Sequence, residues 1–127
     1  SWFKALSDPK DEFHQLAKDS LSKLEKENIL LITTNFILDE TFTLIRSKVN
    51  LETALEFRET LVEMRDVLKI IRIFVEDEAK AWEWFPNKWH GLSFTDCTSF
   101  AAMTRLELKY ALTFDRHFTK AGFKIFS

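Results

Sequence analysis

In the stretch Tyr110-Ala111-Leu112-Thr113-Phe114-Asp115-Arg116-His117-Phe118, five residues of strand character run straight into an aspartate. The pattern predicts a strand over residues 110–114, a helical turn over 118–121 capped by Gly122, and a last short strand over 124–126. Ligand sites of open α/β sheets lie beyond the carboxyl ends of parallel strands, where Asp115 is placed. An aspartate there is equally suited to capping the turn that follows, and both readings stand at this point.

Upstream, helical periods alternate with short apolar runs, the pattern of an α/β fold with a mainly parallel central sheet. A short helix over residues 2–6 stops at Ser7-Asp8-Pro9. Residues 11–26 form a helix with Phe13, Leu16, Ala17, Leu21 and Leu24 on one face. The apolar run 29–33 reads as a strand covered on both faces. Asn35 caps a helix reaching Lys48, and a second helix spans 51–68 through Ala54, Phe57, Leu61, Met64 and Leu68. A strand over 70–75 and a helix over 76–87 follow, the latter bearing Trp82, Trp84 and Phe85 with Trp89 beyond. Residues 94–109 form a helix with Phe100, Met103 and Leu106 inward.

Hydrophobic residues at 46% and charged residues at 30% are globular composition, and 127 residues suit one domain over 1–127. A net charge of −2 excludes nucleic-acid binding by bulk charge, leaving only a local basic groove. With 2 Gly and 2 Pro, neither a Walker phosphate loop nor a dinucleotide fingerprint can be written, and turn-rich β-sandwiches are disfavoured. The single cysteine, Cys97, excludes an intramolecular disulfide, and its small thiol suits a buried position better than a nucleophile. No apolar run approaches the roughly 18 residues of a membrane span, and no signal-peptide pattern opens the chain, so a cytoplasmic location is expected. The chain opens on Ser1 rather than Met, directly before Trp2-Phe3, so its natural upstream end is expected to lie outside these 127 residues.

Most acidic residues lie beside lysines on solvated faces; Glu40, Asp96 and Asp115 do not. Glu40 lies four residues after Phe36 and four before Leu44, on the apolar side of its helix. It needs a cation partner, a rim position or a role in a cleft. Asp96 follows Ser93 by three residues at a helix start, as in a capping box, and the same place aims a carboxylate rigidly at a ligand. His14, His90 and His117 have no zinc-type spacing, and Ser99 lacks the flanking glycines of a nucleophile elbow. The aromatic group Trp82, Trp84, Phe85 and Trp89 suits base stacking, core packing or a subunit interface.

Three segments together resemble the PIN domain, and in particular the small nucleases of the VapC toxin type. They are Thr33-Thr34-Asn35-Phe36-Ile37-Leu38-Asp39-Glu40-Thr41, then Leu92-Ser93-Phe94-Thr95-Asp96-Cys97-Thr98-Ser99-Phe100, then Ala111-Leu112-Thr113-Phe114-Asp115-Arg116-His117-Phe118 with Ala121-Gly122-Phe123. Asp8-Pro9 and His14 also sit as they often do in that family. The resemblance covers essentially the whole chain and implies a three-layer α/β/α fold whose acidic residues converge at one end of a parallel sheet. Glu40, Asp96 and Asp115 match three of the family's four acidic positions. The fourth ends a first strand expected upstream of Ser1; Asp8 and Asp11 fall after the first short helix and do not take its place.

The implied activity is metal-dependent endoribonuclease cleavage of RNA phosphodiester bonds, as the toxin of a type II toxin–antitoxin pair. Clustered carboxylates need a cation, and an oxygen-only set suits Mg²⁺ or Mn²⁺. Asp96 and Asp115 are the expected ligands, with Glu40 holding a water beside the cation or sharing the ligation, and Thr98 assisting by hydrogen bonding. Arg46, Lys48, Arg105, Arg116 and Lys120 are candidates for RNA contact or plain surface charge. Expected partners are an RNA substrate, an antitoxin protein and a second copy in a homodimer, with no membrane. Two alternatives remain open: a catalytically degenerate binding or scaffold module, and an RNA-maturation nuclease without an antitoxin.

Overall fold

The computed structural model describes residues 1–126, which form two compact units: Ser1–Ile71, and a second beginning at Arg72. The first unit holds α1 (Trp2–Ser7), α2 (His14–Lys26), β1 (Leu31–Thr34), α3 (Asn35–Lys48), α4 (Leu51–Glu63) and β2 (Leu68–Ile71). The second holds α5 (Val75–Trp84), α6 (Phe94–Arg105), β3 (Tyr110–Ala111), α7 (His117–Lys120) and β4 (Lys124–Ile125). Both strand pairs are parallel, as an α/β chain requires: β1 on β2 from Leu31↔Leu68 to Thr34↔Ile71, and β3 on β4 through Tyr110↔Lys124 and Ala111↔Ile125. Among the described residues no helix is long and apolar enough to cross a membrane.

In the first unit, α1 packs on α2 and α3, and α3 packs on α4. Phe57, on α4, is 1% exposed, with ring centroids 5.4 Å from Phe3 and 5.0 Å from Phe42. In the second unit α5 packs on α6 around Ala81, Cys97, Phe100, Met103, Ala111 and Phe118, with Trp84 and Trp89 against them. Those two tryptophans therefore serve packing, whereas Trp82 is 60% exposed.

Element boundaries differ from the sequence expectations where a local hydrogen bond outweighs periodicity. Helix α2 begins at His14, not residue 11, because the Asp11 carboxylate accepts the Phe13 N–H at 2.9 Å in a preceding turn. The buried stripe of α2 is Ala17 and Leu24, leaving Phe13 and Leu16 exposed. Asn28, at φ 53°, closes that helix, and Ile29 donates back to the Leu24 carbonyl. Strand β1 consequently starts at Leu31, and Leu30 is exposed. Thr34 caps α3 in place of Asn35, its hydroxyl accepting the Ile37 N–H at 3.1 Å. Helix α4 ends at Glu63, so Leu68 opens β2 rather than ending a helix. Helix α6 stops at Arg105 because Glu107 turns at φ 57° and Leu108 donates to the Met103 carbonyl, which leaves Leu106 exposed.

The expected strand over 70–75 is also cut short, at Ile71. The cause is Asp77, whose carboxylate accepts the Phe74 N–H at 2.9 Å and starts α5 at Val75. Asp77 is an exception to the placing of most acidic side chains on solvated faces, and one that the sequence did not single out. Its side chain is 3% exposed and chelated by Arg105, Nε to Oδ1 at 2.8 Å and Nη2 to Oδ2 at 2.9 Å. Arg105 also lies over the Phe74 ring at 4.7 Å, so this candidate RNA contact is instead tied to α5.

The Arg105 hydrogen bonds hold the Asp77 carboxyl below its ordinary range, with burial opposing them. The stability this pair contributes is complete above the unfolded carboxylate value of about 3.9 and is lost as pH falls through the lower folded value. Asp77→Ala is expected to cost about 2–3 kcal/mol in urea unfolding at neutral pH. That is below the ~3–5 kcal/mol of a fully buried pair because Arg105 is a third exposed and rehydrates. The deficit should shrink in the same titration carried to acid; a deficit independent of pH would contradict the ion-pair origin.

Candidate metal centre

Two of the three sequence-selected carboxylates meet, and a histidine joins them. Asp96 sits in the first turn of α6 within a reciprocal box: its N–H donates to Ser93 Oγ at 2.9 Å, and its Oδ2 accepts the Ser93 N–H at 3.2 Å. Asp115 is fixed by its own turn: its N–H donates to Thr113 Oγ1 at 3.0 Å, and its Oδ1 accepts the His117 N–H at 2.9 Å. The capping readings of both aspartates are thus correct. They do not compete with the site, since capping is what aims each carboxylate.

His117 closes the group. Its Nδ1 lies 2.8 Å from Asp115 Oδ1 and 3.7 Å from Asp96 Oδ2, and donor atoms from all three side chains lie within 4.8 Å of one another. Nε2 is 2.7 Å from the His90 carbonyl, which only accepts, so Nε2 carries a proton. Gly91, at φ 75°, takes the left-handed turn that follows this carbonyl, and Trp89 stacks on the imidazole at 6.4 Å and 8°. The buried Nδ1 has no aligned hydrogen bond of its own despite its closeness to Asp115. A lone pair there is repelled by both carboxylates, and either a proton or a metal cation on Nδ1 relieves the repulsion. The same field acts on the ring: burial works against its charged form, but Asp115, the His90 carbonyl and Asp96 outweigh burial and raise its pKa.

The donor set therefore fits a divalent cation: two carboxylates, and a ring nitrogen whose opposite N–H is committed to a backbone carbonyl. The sequence reading missed His117 because it sought histidine–histidine spacing. The local trace in the sequence is Asp115-Arg116-His117, where the His117 N–H bonds back to the Asp115 carboxylate, while the ring itself is oriented from elsewhere in the fold.

The other candidates stand elsewhere. Glu40 is exposed on α3 in the first unit and has no ion-pair partner among the described residues. Its expected place on the apolar side is corrected: the buried stripe of α3 runs Leu38, Thr41, Ile45, and Glu40 falls outside it. Thr98 is fully buried, and its hydroxyl donates to the Thr95 carbonyl at 2.7 Å. Cys97 is buried as expected, and burial with the neighbouring Asp96 charge pushes its thiol up to about 11, excluding a thiolate nucleophile. Arg46, Lys48, Arg116 and Lys120 are exposed. Lys120 Nζ lies 5.9 Å from the Trp89 ring centroid.

The 23S rRNA-specific endonuclease VapC20, from two strains of Mycobacterium tuberculosis, is 29% identical over 124 residues, 97% of this chain and 91% of the relative. The crystal structure of Mycobacterium tuberculosis VapC20, described as a sarcin-ricin loop cleaving toxin, aligns with a TM-score of 0.81 at 30% identity. It covers 97% of this chain and 92% of the other. The PIN domain model matches residues 2–124, and with that match running through both compact units, the chain belongs to the PIN domain family.

Proposed function

We propose that this protein is a metal-dependent endoribonuclease that hydrolyses RNA phosphodiester bonds, acting as the toxin of a type II toxin–antitoxin pair. The observation that carries the reading is the Asp96–Asp115–His117 cluster in a chain alike over nearly its whole length to a 23S rRNA-specific endonuclease. Asp96 and Asp115 bind the metal, and their caps hold the carboxylates in place before substrate arrives. Glu40 is assigned by the family pattern to orient the attacking water or share the ligation. A bound Mg²⁺ or Mn²⁺ supplies positive charge for the phosphate oxygens and acidifies a water. The family match through both units supports treating residues 1–127 as one nuclease domain. RNA is the substrate, with a structured 23S rRNA loop the first to test, and the cytoplasm is where it is met. An antitoxin segment that occupies the acidic cleft, and a second copy in a homodimer, complete the assembly.

The test is incubation with a 23S rRNA fragment and Mg²⁺ or Mn²⁺, with and without EDTA. Cleavage should fall to background under chelation and return when excess metal is added. Cleavage that survives EDTA would remove the metal mechanism. Intact RNA together with no metal binding would leave a non-catalytic PIN module.

A further inference from the structure

We propose that His117 gives the metal centre a nitrogen ligand through Nδ1 and thereby sets a preference for Mn²⁺ over Mg²⁺. The inference rests on the metal-dependent reading above and specifies the ligand set and its selectivity. Sequence reasoning expected oxygen ligands only, a set that does not separate the two ions by donor type. Three features of His117 argue for the nitrogen. Its Nε2–H is spent on the His90 carbonyl at 2.7 Å, the outer-shell bond by which a ligating histidine is usually oriented, so Nδ1 is the nitrogen left to face a cation, which takes the lone pair in place of a proton. That atom is buried, lacks an aligned hydrogen bond and lies among the carboxylate oxygens that would share the cation. Stacking on Trp89 resists the ring rotation that would carry Nδ1 away. The other histidines lack this setting: His14 Nδ1 is 2.8 Å from the Ala5 carbonyl, and His90 is exposed.

The selectivity follows from hardness. Mg²⁺ holds oxygen ligands and sheds water reluctantly, whereas Mn²⁺ accepts carboxylates and imidazole together and stands above Mg²⁺ in affinity for nitrogen. Two carboxylates retain enough oxygen character for Mg²⁺ to bind, so the histidine acts on the ratio of affinities.

Pulsed EPR of the Mn²⁺-loaded protein should show a ¹⁴N coupling that changes on ¹⁵N-histidine labelling. It should vanish in His117→Asn, which puts an amide where Nδ1 was. By calorimetric titration, that variant should lose about tenfold of the wild-type Mn²⁺-to-Mg²⁺ affinity ratio, the lower end of the cost of disturbing a metal's histidine support. The labelling experiment uses wild-type protein, so it holds whatever the variant does to folding. Mn²⁺ bound without a histidine nitrogen coupling, or a coupling that persists in His117→Asn, would overturn the inference while leaving metal-dependent cleavage intact. Failure of wild-type protein to bind Mn²⁺ would overturn the inference and the nuclease reading together.

Discussion

Replacing Asp96 with Asn should reduce RNA cleavage by at least about a hundredfold with little loss of stability. The floor comes from metal sites in general, where disturbing an outer-shell partner costs about 10–100-fold and a direct ligand should cost no less. Asparagine is the informative substitution because of the capping box. Its amide oxygen still accepts the Ser93 N–H, and its backbone N–H still donates to Ser93 Oγ, so the start of α6 keeps both bonds. What disappears is the negative charge, worth about 0.3–1 kcal/mol against the helix dipole and, on the proposed function, needed to hold the cation. Asp96→Ala would confound the two roles by removing the cap as well. The check pairs a cleavage rate with a urea midpoint on the same preparation. A variant that folds normally and cleaves at the wild-type rate would remove Asp96 from the mechanism.

Phe100→Ala should cost about 3–5 kcal/mol, the range for deleting a buried aromatic side chain. Phe100 is 0% exposed and touches the three parts that must come together in the second unit. Its ring meets Trp84 of α5 at 5.3 Å, Phe118 of α7 at 4.9 Å and Phe123 at 5.9 Å. Neighbouring rings are too rigid to fill the hole, so most of the cavity should persist. The consequence reaches the site, because Phe118 follows His117 and its edge-on packing anchors the four-residue helix that carries the imidazole. Metal affinity should therefore drop along with the urea midpoint. Phe100→Leu, which retains much of the volume, should recover most of both. A loss below about 1 kcal/mol in the alanine variant would contradict the packing described for this core.

The pairs of parallel strands and most helices were legible because apolar spacing survives without tertiary information. Several of the failures share one cause: a side chain bonded to nearby backbone. Asp11, Thr34 and Asp77 each moved an element boundary by accepting an N–H two or three residues away. Asp77 also shows the reach of such errors. Its neighbours Glu76 and Glu78 make it look like one of three solvated acids, and nothing local announces Arg105, 28 residues further on.

For the site, residue type and position along the chain were sufficient to select Asp96 and Asp115, because a carboxylate at a helix start is aimed by local hydrogen bonds within three residues, although the strand expected to run up to Asp115 ends at Ala111. Local information also assigned Cys97 to the core. The membership of His117 depended on tertiary packing: the imidazole is oriented by the His90 carbonyl, 27 residues earlier in the chain, and by the face of Trp89. Glu40 shows the converse, since helical spacing counted its apolar neighbours correctly but only packing selected Leu38, Thr41 and Ile45 as the buried stripe. Sequence patterns record what a residue does to its own turn of chain. Which distant groups share its charge depends on how the elements fold back, and that is what brings two capping aspartates and a histidine within 4.8 Å of one another.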